Sequence, residues 1–155
     1  MAFTGLFGAQ AENLKTLLAN VSAFRTFVGV SEVVDAAARV NPIMQSADSR
    51  TWPLAIIKYG NWSANRDSAG AGVNSYGVDS HLVLMFEKTV DSITAAQVET
   101  FVNSISSVIA GMMNLSGTSN YMYIQQINGM DETFFQEEKP EEKVLRAVFT
   151  IHWDM

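Results

Sequence analysis

Apolar residues recur along this chain at two spacings, and the spacings divide it into helices and strands. From Ala9 to Val21, Leu14, Leu17, Leu18 and Val21 fall three or four residues apart or side by side, with Glu12 near the start, which predicts an amphipathic helix. Ser22 is placed to cap a short continuation, Ala23 to Phe27, closed by Gly29. Ser31 is placed to cap a further helix over Glu32 to Val40. Asn41-Pro42 closes it, because the residue before proline is pushed out of the α region.

Trp52-Pro53 leads into Leu54 to Tyr59, a short apolar run read as a strand. The stretch 60–80 is rich in Gly, Asn and Ser, has no period, and is expected as a long loop. His81 to Glu87 predicts a second strand with an apolar centre. Thr94-Ala95-Ala96-Gln97 is a capping box, in which the threonine hydroxyl takes the amide of Gln97. In the helix it opens, Val98, Phe101, Val102, Ile105, Val108, Ile109 and Met112 share one face, and Gly117 is placed to stop it. Tyr121 to Ile127 reads as a third strand. In Val144 to Trp153, the fourth, Leu145, Ala147, Phe149, Ile151 and Trp153 point one way. Arg146, Thr150 and His152 point the other, with Val148 among them. Between these strands lies 131–143, with six acids and two lysines, expected as a solvated loop or hairpin tip. The expected architecture is a single α+β domain over residues 1–155, in the order α-α-β-β-α-β-β. About four strands form an antiparallel or mixed sheet with helices packed on one face.

Composition narrows the function classes. Only 17% of the 155 residues are charged and 48% are hydrophobic, with eight methionines. That balance fits either a large core or apolar surface buried against partner subunits; low charge and methionine together favour the second. A cysteine-free chain has no disulfide, thiol nucleophile or Cys-ligated metal, and does not identify a compartment. The first residues lack the basic and apolar regions of a signal peptide, and the apolar runs fall short of the ~20 residues of a membrane span, so a soluble protein made in a cytoplasm is expected. A net charge of −6, with ten scattered basic residues, does not suit a surface that grips phosphates. It suits one that lies near DNA without holding it.

Catalytic patterns are hard to find. His81 and His152 each sit at a strand position without an acidic partner at metal spacing, and read as polar strand-face residues that can meet across strands. No serine has a nucleophile-elbow context, and Gly70-Ala71-Gly72 with Gly77 matches no phosphate loop. Glu137, Glu138, Glu141 and Glu142 lack the ladder and turn glycine of a calcium loop; they read as a solvated segment or as an acidic wall facing a channel or basic partner. Trp62 stands in a polar stretch with Arg66 and Tyr76 nearby, and either anchors an interface or packs back on its own domain. No metal, cofactor or catalytic set emerges, so an enzyme is not expected.

Four stretches together resemble the tail terminator and head–tail joining proteins of tailed bacteriophages. They are Leu14-Lys15-Thr16-Leu17-Leu18 with Ser22-Ala23-Phe24-Arg25-Thr26-Phe27-Val28-Gly29, then Trp52-Pro53-Leu54-Ala55-Ile56-Ile57, then His81-Leu82-Val83-Leu84-Met85-Phe86-Glu87, and last Phe149-Thr150-Ile151-His152-Trp153. The likeness is one of order and pattern rather than of a signature motif. It implies a non-enzymatic virion subunit of the tail or neck, forming a ring, commonly a hexamer, on the last ring of the tail tube. Such a ring stops polymerisation and presents a surface to the head-completion or connector protein, while DNA only passes through its channel. The resemblance implies that the stretch 60–80, with Trp62, Arg66 and Tyr76, contacts neighbours or the tube. It implies that Glu137, Glu138, Glu141 and Glu142 line or rim the channel. Another head–tail connector or tail-completion protein is the nearest alternative. A different class is a small-molecule-binding α+β domain, with its ligand between the helix Val98 to Met112 and the sheet.

Overall fold

The computed structural model describes residues 5–42, 51–66, 76–118, 121, 123–138 and 143–154. It has the α+β architecture expected of the sequence, with four helices and a mixed five-stranded sheet. The helices are α1 (Gly5–Ala19), α2 (Ser22–Val28), α3 (Val33–Ala37) and α4 (Ala95–Leu115). The strands are β1 (Val40–Pro42), β2 (Leu54–Arg66), β3 (Tyr76–Val90), β4 (Tyr123–Glu138) and β5 (Lys143–Asp154). They lie side by side in the order β1-β2-β3-β5-β4. Only the β1–β2 pairing is parallel; β2–β3, β3–β5 and β5–β4 are antiparallel.

One face of the sheet carries the helices, and alternation along the strands decides which residues meet them. Ala55 and Ile57 of β2, Leu82, Leu84 and Phe86 of β3, and Leu145, Ala147, Phe149 and Ile151 of β5 join one core with helix residues. The helices supply Leu14, Leu17 and Leu18 from α1, Phe24, Phe27 and Val28 from α2, and Phe101, Ile105, Val108 and Met112 from α4. Each fully buried side chain of this kind contributes about 2 kcal/mol before entropy is subtracted. Aromatic rings tie the layers together: Phe27 meets Phe86 edge-on at 6.0 Å, and Phe149 meets both Phe86 and Phe134 at 6.1 Å.

Local signals account for the helix ends. Thr94 caps α4 as its box requires, its hydroxyl accepting from the Gln97 amide at 3.2 Å. Gly29 ends α2 at φ 76°, a left-handed conformation that costs glycine nothing. Ser22 and Ser31 are not caps: Val21 and Glu32 take those places without a side-chain hydrogen bond.

Three expectations need correction. The helix expected over 32–40 closes at Ala37, and Val40 instead pairs with Ala55 in the unforeseen β1. Val33 and Val34 remain exposed in α3, whereas Val40 becomes buried, so the sheet offers its side chain what the helix does not. The loop expected over 60–80 carries strand at 60–66 and 76–80, because β2 and β3 continue as a ribbon whose last described pair is Arg66 with Tyr76; residues 67–75 lie outside the described ones. The loop expected over 131–143 is strand as far as Glu138 and again from Lys143, with 139–142 outside the described residues. A two-stranded ribbon needs backbone hydrogen bonds but no buried face, so it leaves no apolar alternation to read.

The opposite sheet face is drier than its polar residues foretell. Leu54, Ile56, Val144 and Val148 are buried there, apart from the helix-side core. Glu87 is 4% exposed among them; the Trp52 indole donates to its carboxylate at 3.2 Å and Arg146 Nε stands 3.7 Å away.

Candidate assembly site

The sheet ends in two strand edges that nothing covers among the described residues. On one side β1 pairs only with Ala55, Ile56 and Ile57, so β2 from Lys58 to Arg66 has a single neighbour, β3. On the other side β4 pairs only with β5. Each edge offers backbone donors and acceptors to an incoming strand, interrupted by register shifts between Tyr59 and Trp62 on β2, and between Ile124 and Gln126 and between Gly129 and Phe134 on β4. The directions match: β2 runs opposite to β3, β3 opposite to β5, and β5 opposite to β4, so β2 and β4 are antiparallel to each other. A copy placed with its β4 beside the β2 of the next continues the alternation. The two edges also differ in charge. From 58 to 66 the β2 edge carries Lys58 and Arg66 and no acid, whereas β4 carries Asp131, Glu132, Glu137 and Glu138 and no base. Reading across the ladder, Lys58 pairs with Val83, Val83 with Thr150 and Thr150 with Asn128, which puts Lys58 level with a point three residues from Asp131.

The residues singled out in the sequence fall at opposite ends of this sheet. Trp62 lies opposite Ser80 on the ribbon, four residues from Arg66, and Arg66 is the direct ladder partner of Tyr76. The structure therefore gathers these three on one two-stranded arm, which runs beyond the last β3–β5 pair, His81 with His152. Glu137 and Glu138 close β4 opposite Val144 and Lys143, at the end where Val90 pairs with Lys143. Glu141 and Glu142 lie outside the described residues. The arm and the acidic end are thus separated by the length of the sheet.

The two histidines meet. His81 and His152 are ladder partners, and their rings lie 5.1 Å apart at 33°. Gly60 leaves room for this: a Cβ there would stand 2.4 Å from Cδ2 of His81. Among the described residues no group of three or more histidines and acids gathers to hold a metal. The space between α4 and the sheet, where a ligand-binding reading places its ligand, is filled by Phe101, Ile105, Val108 and Met112, all nearly or completely buried.

An open groove was not foreseen. It lies between α2 and α4, has a volume of about 530 Å³, and combines a floor of Ala23 and Phe27 with Lys88, Thr100, Asn103, Ser104 and Ser107. Ser104 and Ser107 are legible in the sequence only as the polar side of α4. Their convergence on Lys88 depends on how α4 lies against α2 and β3.

Among the described residues no helix is long and apolar enough to cross a membrane. In comparison with known proteins, the chain matches no family model and no curated protein.

Proposed function

We propose that this chain is a structural virion subunit of a tailed bacteriophage that assembles head-to-tail into a ring, capping the tail tube, ending its polymerisation and joining the tail to the head connector. The observation that carries the reading is the pair of open edges. They are opposite in direction and differ in charge, so one edge of each copy suits antiparallel pairing with the other edge of the next. A heterologous contact of this kind closes into a ring when its rotation permits. The resemblance in sequence pattern to tail terminator and head–tail joining proteins supplies the place of that ring, on the tail tube at the neck of the virion. In this reading the chain is not an enzyme. Its partners are its own copies, commonly six in that family, then the tail tube protein and the head-completion or connector protein. The arm with Trp62, Arg66 and Tyr76 projects from one end of the sheet and is suited to reach a stacked neighbour. Glu137 and Glu138 belong to the other end, and in this reading they, with Glu141 and Glu142 next in the sequence, line a channel rim where negative charge keeps DNA sliding.

The test is the native mass of the purified protein with electron imaging of the same sample, alone and with tail tubes added. A closed ring with a central hole, or tubes capped at one end, is the expected result. A protein that stays monomeric and leaves tubes uncapped and growing rejects the reading.

A further inference from the structure

The chain has two histidines and no cysteine, so these two imidazoles are its strongest ligands for a transition-metal ion. The fold brings both to one place. His81 and His152 are ladder partners at the last β3–β5 pair. Alternation puts them on one side of the sheet: Leu82 and Ile151 beside them turn to the helix-side core, so the histidines take the opposite face. Both are half-buried, which leaves each ring partly open to solvent. Their ring centres lie 5.1 Å apart. Two imidazoles that share one tetrahedral ion, each through a nitrogen at about 2.0–2.1 Å, have ring centres about 5 Å apart as well. The two rings therefore already stand at the separation of a chelating pair.

The neighbouring strands set the direction of the His81 ring. Strand β3 lies between β2 and β5. A Cβ on Gly60 of β2 would collide with Cδ2 and Nε2 of His81, so this edge of the imidazole lies over β2, where glycine makes room for it. Nδ1 is the ring corner opposite that edge, and it is turned toward β5, where His152 stands. Nε2 is not needed for the ion; a liganding imidazole ordinarily uses its second nitrogen for a contact within the protein. Two protein ligands leave two positions of a tetrahedral ion to water. A net charge of −6 draws cations to the surface that carries the pair.

We infer that His81 and His152 form a site for a divalent ion of the zinc, nickel or copper type, bound through Nδ1 of His81 and one imidazole nitrogen of His152. From Ser80 back to Tyr76, β3 pairs only with β2 among the described residues, in the arm that carries Arg66 and Tyr76. The ion thus ties the base of the arm to β5. The inference does not depend on the assembly reading, because a single copy supplies both imidazoles.

Zinc alone, added to the purified metal-free chain, tests it. One zinc per chain is expected to bind, and a hundredfold excess over its dissociation constant is expected to raise the melting temperature by roughly 5–10 °C. His81→Gln and His152→Gln are each expected to bind zinc on the order of tenfold more weakly or worse, and to lose most of that rise. In the unaltered chain both imidazole ring signals are expected to shift together on adding zinc in nitrogen NMR, and copper(II) in its place is expected to couple to two nitrogens in electron spin resonance. These spectra need no variant, so they decide the matter even if a substitution unfolds the chain. Zinc held equally well by both variants would mean that carboxylates bind it, and would overturn the inference. A copper signal coupled to a single nitrogen would do the same, as would one zinc shared between two chains, which is an ion bridging copies.

Discussion

At the residue scale, the most exacting arrangement is Glu87 on the sheet face away from the helices. A carboxylate at 4% exposure is tolerable only with partners, and it has the indole N–H of Trp52 and the guanidinium of Arg146, its own ladder partner. Removing one partner leaves a buried charge behind. Arg146→Ala is expected to lower stability by about 3 kcal/mol in urea unfolding. Replacing Glu87 and Arg146 together by leucine is expected to cost much less, because the charge to be hidden goes as well. Equal losses in the single and double variants would mean that packing, not the ion pair, sets the cost. A second residue answers to pH. Burial raises the Tyr59 phenol above its ordinary value, and the nearby Glu12 carboxylate adds to the rise. The folded state thus holds its proton after the unfolded chain has released it. Stability from this group is whole below the ordinary tyrosine range and is lost as pH rises through the folded value. Absorbance titration of phenolate is expected to bring Tyr59 closer to ordinary in Glu12→Gln, and Tyr59→Phe is expected to flatten the alkaline fall in stability. An unchanged Tyr59 titration in Glu12→Gln would remove the carboxylate from the account.

At the element scale, the close approach of α4 to the α1–α2 junction depends on a missing methyl group. A Cβ on Gly111 would stand 2.6 Å from Cγ1 of Val21, which is buried. Alanine at 111 gains about 1 kcal/mol of helix propensity. It also has to push Val21 aside in a packed core, which costs about 1–3 kcal/mol. Gly111→Ala is therefore expected to destabilise, and Val21→Ala in the same chain to reverse the loss; a stabilised single variant would show that α4 can lift away freely. Elements such as α4 were legible because local and global demands agree: a capping box, an apolar stripe and a glycine stop name one helix before any partner is known. Strand β5 declared its core through alternation for the same reason, and β3 showed itself by its apolar centre. What stayed hidden had no such agreement. Val40 looks like the last turn of a helix, and only the neighbouring Ala55 makes it a strand. The ribbon from Gly60 to Arg66 and the outer half of β4 are strands by pairing alone, and their polar residues mimic a loop. The Lys88 groove was invisible because its wall comes from α2, α4 and β3, far apart in the chain. The histidines were foreseen as a possible cross-strand pair, since position on a strand face is set by parity.

At the scale of the whole molecule, the two edges of the sheet differ in charge and in how much of each is paired. Edge strands invite association, and proteins that avoid it shorten, cover, charge or bulge them. Here β1 shields three residues of β2 and leaves the rest, while β4 runs from Tyr123 to Glu138 with one side open among the described residues. The charges along β4 do discourage pairing of two β4 strands, because like charges then face each other. Beside β2 that repulsion is absent, because β2 carries no acid from Lys58 to Arg66. That asymmetry disfavours a symmetric dimer through β4, and it is compatible with the proposed head-to-tail ring. Hydrogen exchange reads this directly. As concentration rises from monomer to assembly, amides of Tyr123 to Glu138 and of Lys58 to Arg66 are expected to gain protection together, because each edge covers the other. Amides within α1, already bonded inside the helix, are expected to keep their rates. Reversing the charge of β4 at Asp131 and Glu132 to lysine is expected to abolish both gains at once. Recovery on adding Lys58→Glu to that variant would tie the two edges to one contact. Protection confined to β4 would instead mean a symmetric pair of β4 strands, an interface that makes a dimer and no ring.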